Sequence, residues 1–208
     1  TYAASAFLSR VYMQQREYED ARDEADRVIG DPDSPYSLVE EYENIFNNSN
    51  VNTTEDIFGI QVTTQDGTNS LQTFYASQDN GGRGDIEIQQ SHLNLYEAGD
   101  ERLDLFYGSG QEVRTGKWRN QYGNVNAIRL AEMYLNRAEA NERLGTTVGA
   151  TPTEDINEIR ERADIGSVVT PPVTLQEILD QRHLELAFEG HFLFDLKRTE
   201  GSVEGSIS

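Results

Sequence analysis

Apolar residues recur at helical spacing at both ends of the chain and lose that rhythm between them. Ala4, Leu8, Val11 and Tyr12 form one stripe, and Tyr18, Ala21, Ala25, Val28 and Ile29 form a second. The polar stretch Gln14–Glu17 separates them, so residues 1–30 predict a helical hairpin. Gly30-Asp31-Pro32 stops the second helix, because proline cannot extend it. The rhythm returns at Ile128, where Ile128, Ala131, Tyr134, Leu135 and Ala138 share a face up to Gly145. A further helix is expected from about Thr153 to Ala163 on Ile156 and Ile159, opened by the acidic pair Glu154-Asp155. After Pro171-Pro172, Leu175 to Arg198 predicts the longest helix, with Leu184, Ala187, Phe188, Phe192 and Leu196 as its stripe. Gly190 inside that stretch costs about 1 kcal/mol relative to alanine, which implies tight packing or a kink there.

Residues 31–125 read differently. Glu55–Val62 alternates well enough for one buried strand. Around it lie turn-rich runs: Asn47–Asn50, Asp79–Gly84 and Gly108-Ser109-Gly110. So long a stretch with so little regular structure, when ordered, is usually a functional loop region. The chain is therefore read as a single unit, 1–208, mainly α. A hairpin at 1–30 and a hairpin plus closing helix at 126–198 frame a loop-rich ligand-facing region at 31–125, and 199–208 forms a tail.

Charge and composition then narrow the function. Among 208 residues there are 37 acidic and 17 basic side chains, a formal net charge of −20. Such a surface repels phosphate polymers and anionic headgroups, which excludes a nucleic-acid binder and docking on acidic lipid. The absence of cysteine excludes disulfides, thiolate metal sites and cysteine nucleophiles. No apolar run is long enough for a spanning helix. The three histidines, His92, His183 and His191, suggest no metal site, and Asp79–Asp85 lacks the spacing and closing glutamate of a calcium loop. No cofactor motif and no hydrolase elbow occur.

Five segments in order carry a family resemblance. Arg129-Leu130-Ala131-Glu132-Met133-Tyr134-Leu135 with Arg137-Ala138-Glu139-Ala140 looks like the R-x-A-E-x-Y-L-x-x-A-E-A helix of SusD/RagB-type outer-membrane binding proteins. Ile156–Ala163 resembles their I-N-x-I-R-x-R-A helix. Arg182–His191 with Asp195-Leu196-Lys197-Arg198 resembles their closing segment, and Ser9–Tyr12 and Ile57-Phe58 sit in the expected order upstream. Gln181 stands where the family usually has Glu, and His191 where it usually has Arg, so one ion pair of that segment is expected to change. The first hairpin also resembles tetratricopeptide spacing. Members are about twice this length, with a lipid-attached N-terminal cysteine, early helical repeats and a C-terminal extension. Two repeat pairs stacked alone would leave an open apolar face, to be covered by the middle region or by another segment.

The resemblance implies a tetratricopeptide-like, SusD-like fold that captures an oligosaccharide without catalysis. The full protein would sit lipid-anchored on the outer-membrane surface and deliver its ligand to a SusC-like TonB-dependent transporter. Peptide capture on the same fold, an intracellular tetratricopeptide adaptor and a glycosidase are the alternatives. Arg160, Arg162, Arg182, Glu185, Glu189, Asp195 and Arg198 are read as scaffold ion pairs rather than acid/base groups. A pyranose packs its apolar face on an aromatic plane while its hydroxyls pair with amides and guanidinium groups. Trp118, Arg119, Asn120 and Tyr122 offer that mixture, with Tyr75 and Tyr107 in the same loop-rich region. Trp118 has a second reading, as a plug of the loops onto the helices.

Overall fold

A computed structural model describes residues 1–65, 67–108, 110, 112–167 and 170–199; most of the expected tail and Ser109 lie outside the described residues. Helices α1 (Tyr2–Gln15) and α2 (Tyr18–Ile29) form the first hairpin. Helix α5 (Leu130–Leu144) packs against α2, and α6 (Pro152–Arg162) and α7 (Leu175–Glu185) pack against α5. The hairpins are thus in mutual contact, with α5 between them. Alanines make the approach close: Ala21, Ala25, Ala131, Ala138 and Ala140 are all fully buried. One apolar cluster joins Ala6, Ala25, Val28 and Met133, and a second, on the other side of α5, joins Leu135, Ile156, Ile159 and Ile178.

Helix starts are written in local chemistry. Thr151 caps α6 and Thr174 caps α7, each exchanging hydrogen bonds with a glutamate three residues on, Glu154 and Glu177. The cap of α6 is therefore Thr151, two residues before the threonine at which the sequence places the start. Gly145 closes α5 in the left-handed conformation.

Three expectations are corrected. First, α1 buries Ser5, Ala6, Ser9 and Met13, not the stripe of Ala4, Leu8 and Val11. The hydroxyl of Ser9 donates to the Ala21 carbonyl and accepts from the Asn136 amide, and those bonds turn the small-residue face inward. Phe7 is left 56% exposed and Leu8 39%. Second, the helix starting at Ile128 begins at Leu130. Ile128 belongs to strand β4 (Val125–Arg129), which pairs antiparallel with β1 (Asp56–Ile60), with Phe58 opposite Ile128 and Ile60 opposite Val125. Third, Leu175–Arg198 is two helices. A turn with Phe188 at φ 65° and Gly190 at φ 87° separates α7 from α8 (Phe192–Arg198). Gly190 therefore serves a left-handed turn rather than tight packing.

The middle region leaves and re-enters the helical frame through the β1–β4 ladder. Between them lie α3 (Ser70–Tyr75), α4 (Gln90–Leu93) and a two-residue ladder of β2 (Phe106–Tyr107) with β3 (Arg114–Thr115). This region covers the α7–α8 turn: the Tyr42 hydroxyl donates to the Glu185 carbonyl and the Trp118 indole N–H to the Phe188 carbonyl. It does not cover the outer face of α1 and α8, where Leu193 and Phe194 are also more than half exposed.

Candidate functional site

Asparagine side chains tie the irregular segments together around a small buried cluster of Tyr42, Ile45, Phe46 and Leu105. Asn47, at φ 64°, accepts from the backbone N–H groups of Arg119 and Asn120 at 2.7 and 2.8 Å and donates to the Gly116 carbonyl at 2.7 Å. Asn69 caps α3 and donates to the Gly123 carbonyl, tying α3 to the 120–123 turn. Asn124 donates to Val51 and Asn52 and accepts from the Val62 N–H. These amides satisfy backbone groups that no ladder or helix reaches.

On this frame the six sequence-predicted residues separate into two groups. Trp118 is 3% exposed, its indole N–H used and its ring edge-on to Phe46 at 6.3 Å, so it plugs the loops onto the helices. Asn120 spends both amide hydrogens, on the Asn47 carbonyl and the Ser49 hydroxyl, and accepts from the Tyr122 N–H. Both are supports. Arg119 is exposed, and Tyr75 and Tyr107 are half-buried. The Arg119 guanidinium lies 5.4 Å from the Tyr107 ring centre, and the Tyr107 hydroxyl accepts from the Ser77 N–H at 2.9 Å, which pins that ring beside the end of α3. Tyr122 is half-buried on the neighbouring turn, its carbonyl taken by the Ser49 hydroxyl.

Sequence reading missed Phe74. It is 45% exposed on α3, next to Tyr75, with the Arg83 guanidinium 5.3 Å from its ring. The Asp79–Gly84 run folds back on α3, with Arg83 N–H donating to Thr73 and Gly84 N–H to Ala76. A β-carbon at Gly82 would collide with the Ala76 carbonyl, so glycine there permits the close return that sets Arg83 over Phe74. The exposed face thus offers aromatic planes flanked by guanidinium groups.

Beneath it the charged residues of the family-like motifs neutralise one another. Arg129 donates to both carboxylate oxygens of Glu189 at 2.8 Å, to Glu185 at 3.1 Å and to Glu55. Arg162 bridges Glu55 and Glu185 at 3.0 and 2.7 Å, and Lys117 reaches Glu189 at 2.7 Å. Arg102 pairs with Asp100 at 2.7 Å and faces Glu185 at 3.7 Å. Burial opposes ionisation of Glu185, yet Arg162, Arg129 and Arg102 hold its carboxyl down to about 2. Burial likewise opposes Glu189, and Arg129 and Lys117 hold it down to about 2. A second network runs from Arg182 through Asp195 to Arg198 and Glu139. At the two departures from the family pattern, Gln181 accepts from Arg102 at 3.2 Å, and His191 stands 4.0 Å from Glu132, whose partner is Arg10 at 2.5 Å. Among the described residues no three His, Asp or Glu side chains group to hold a metal, and no helix is long and apolar enough to cross a membrane.

Stacked helical hairpins with interior charges paired off and an amide-stapled aromatic face at the loops define a helical-repeat scaffold that presents loops. Residues 107–206 match the SusD family. The starch-binding protein SusD of Bacteroides thetaiotaomicron is 26% identical to this chain, covering 90% of it and 48% of its own length. A SusD superfamily crystal structure from Bacteroides vulgatus is 28% identical with a TM-score of 0.82, covering 95% of this chain and 48% of that one. A surface glycan-binding protein A from Bacteroides thetaiotaomicron, solved in complex with laminarihexaose, shares the fold at 20% identity and a TM-score of 0.78, over 93% of this chain and 53% of that one. Over residues 107–206 the chain is thus similar to the SusD family, and it spans about half the length of the curated relatives it matches.

Proposed function

We propose that this chain forms part of a non-catalytic protein that captures oligosaccharide or polysaccharide at the outer-membrane surface. The face of Phe74, Tyr75, Tyr107 and Arg119 makes the sugar contacts, with Tyr122 at its edge and Trp118 and Asn120 holding the loops beneath. The observation that carries this reading is that loop surface: Phe74 exposed with Arg83 over one side of its ring, and Arg119 exposed beside the half-buried Tyr107, on loops that asparagine side chains tie together. Rings pre-placed in this way offer a sugar's apolar face a plane without an ordering cost at binding. Relatives named as starch-binding and glycan-binding proteins support the ligand class. Acid/base catalysis finds no pair of free carboxylates in the motif residues, since Glu185, Glu189 and Asp195 are engaged with arginines or lysine. In the full-length protein a lipid anchor would hold this scaffold at the membrane, and a SusC-like TonB-dependent transporter would take the ligand onward.

The test is retardation in native gels cast with starch, laminarin and other neutral polysaccharides. Retardation by at least one is expected, with Phe74→Ala and Arg119→Ala each weakening it about tenfold. Unchanged retardation in both variants moves the sugar face elsewhere. If none of the polysaccharides retards the chain and an extended peptide binds it instead, the same fold serves peptide capture.

A further inference from the structure

The loop face continues into a second place, an open groove. Phe188 stands edge-on to Tyr75 at 6.1 Å and, on its other side, to His92 at 5.1 Å. His92 in turn meets His183 at 5.4 Å, and His183 packs on Phe192 at 4.2 Å. His92, His183, Phe188 and Phe192 line a groove of about 370 Å³ together with Ile86, Ile88 and Leu95. Burial, then His183 and Lys117, lower His92 to about 4, and burial lowers His183, so both imidazoles are neutral at physiological pH. Among the described residues Glu87, paired with Arg114 at 3.9 Å, is the carboxylate on the lining, and no lysine or arginine lines it.

We infer that this groove is a subsite for one uncharged pyranose residue of a glycan chain whose neighbouring residues lie on the loop face, Phe188 joining the two. The inference rests on the proposed capture of glycans and adds its length and charge class. The sugar ring takes the aromatic and aliphatic walls. With neutral imidazoles and Glu87 at the lining, the groove holds no cation for a uronate or a sulfated sugar. Short oligosaccharides that fill the loop face alone do not reach it.

The three histidines make the test direct. Imidazole resonances of His92, His183 and His191 are followed by carbon–proton NMR while maltose, maltohexaose, laminaribiose and laminarihexaose are titrated in, with a hexamer of galacturonic acid as the charged probe. His191 lines a separate cavity against α1 and serves as the internal reference. At least one neutral hexasaccharide is expected to shift His92 and His183 and leave His191 unmoved, while its disaccharide binds without shifting either. Phe192→Ala, checked for an unchanged helical circular-dichroism spectrum, is expected to weaken the hexasaccharide about tenfold and the disaccharide not at all. Hexasaccharide binding with still imidazoles, or equal affinity of Phe192→Ala, overturns the subsite and leaves glycan capture standing. Equal shifts with the galacturonic acid hexamer overturn its charge class. No binding of any saccharide to the wild-type chain overturns both readings.

Discussion

Trp118 shows how a residue's chemistry and its placement part company. Its indole is suited to stacking on sugar, yet the ring is 3% exposed and its N–H is spent on the Phe188 carbonyl. Trp118→Phe keeps most of the apolar volume and orphans that carbonyl, so urea denaturation is expected to show a loss of about 1–3 kcal/mol. Asn120→Ala strands the Asn47 carbonyl and the Tyr122 N–H and is expected to cost about the same in that measurement. Phe74→Ala, by contrast, removes a ring already 45% in water, and its unfolding midpoint is expected to stay within about 0.5 kcal/mol of wild type. A residue list drawn from composition held both kinds, because indole and amide are equally good at gripping a ligand and at holding a loop. What separates them is which hydrogen-bonding atoms the fold has already used.

At the scale of elements, the join between helices and loops is ionic. Lys117 before Trp118 and Arg129 at the end of β4 pair with Glu189 in the α7–α8 turn, while Arg129 and Arg162 at the end of α6 both pair with Glu55 beside β1 and Glu185 at the end of α7. Removing one member leaves its partners charged and buried, so Arg129→Met is expected to destabilise by about 3–5 kcal/mol in a denaturant titration. The carboxyls of Glu185 and Glu189 titrate near 2 in the fold against 4.5 when free. Folded-state values below the unfolded ones mean stability that is complete above about pH 5 and drains away as pH falls towards 2. His92 adds to this trend from higher pH, since at about 4 it too resists a proton that the unfolded chain accepts near 6.5. Asp155, which burial raises to about 6, works the other way between about pH 6 and 4, so thermal melts are expected to fall below about pH 4; a midpoint that holds from pH 4 down to about 2.5 contradicts the network. The same region explains the broken helix: a left-handed Phe188 and Gly190 turn Glu189 back towards Arg129, which a continuous helix through Arg198 would not do.

Across the whole molecule, apolar side chains of α1 and α8 are among those that remain open in the described residues. Phe7 and Leu8 on α1 and Leu193 and Phe194 on α8 are exposed, and Val11 and Phe194 line one cavity of about 630 Å³. Patches of this kind drive association in water. The triple variant Phe7→Ser, Leu193→Gln, Phe194→Gln is expected to reduce self-association of this chain in sedimentation velocity without lowering its melting temperature. Which stripe of α1 faces inward was not readable from periodicity, because Leu8 and Val11 have the more apolar side chains while Ser5 and Ser9 have the better partners. Helical periodicity, cap residues and the Arg/Glu motifs were enough to set the hairpins, their order and the family resemblance, since each depends on residues within a few turns of one another. Pairings across many tens of residues were not legible in the same way. The β1–β4 ladder, the asparagine clamps on the loops, the ring sequence from Tyr75 to Phe192 and the burial of Trp118 came only with the tertiary structure. Local backbone preference is carried by neighbours along the chain, whereas exposure and the consumption of hydrogen-bonding groups are settled by whatever packs against a residue from afar.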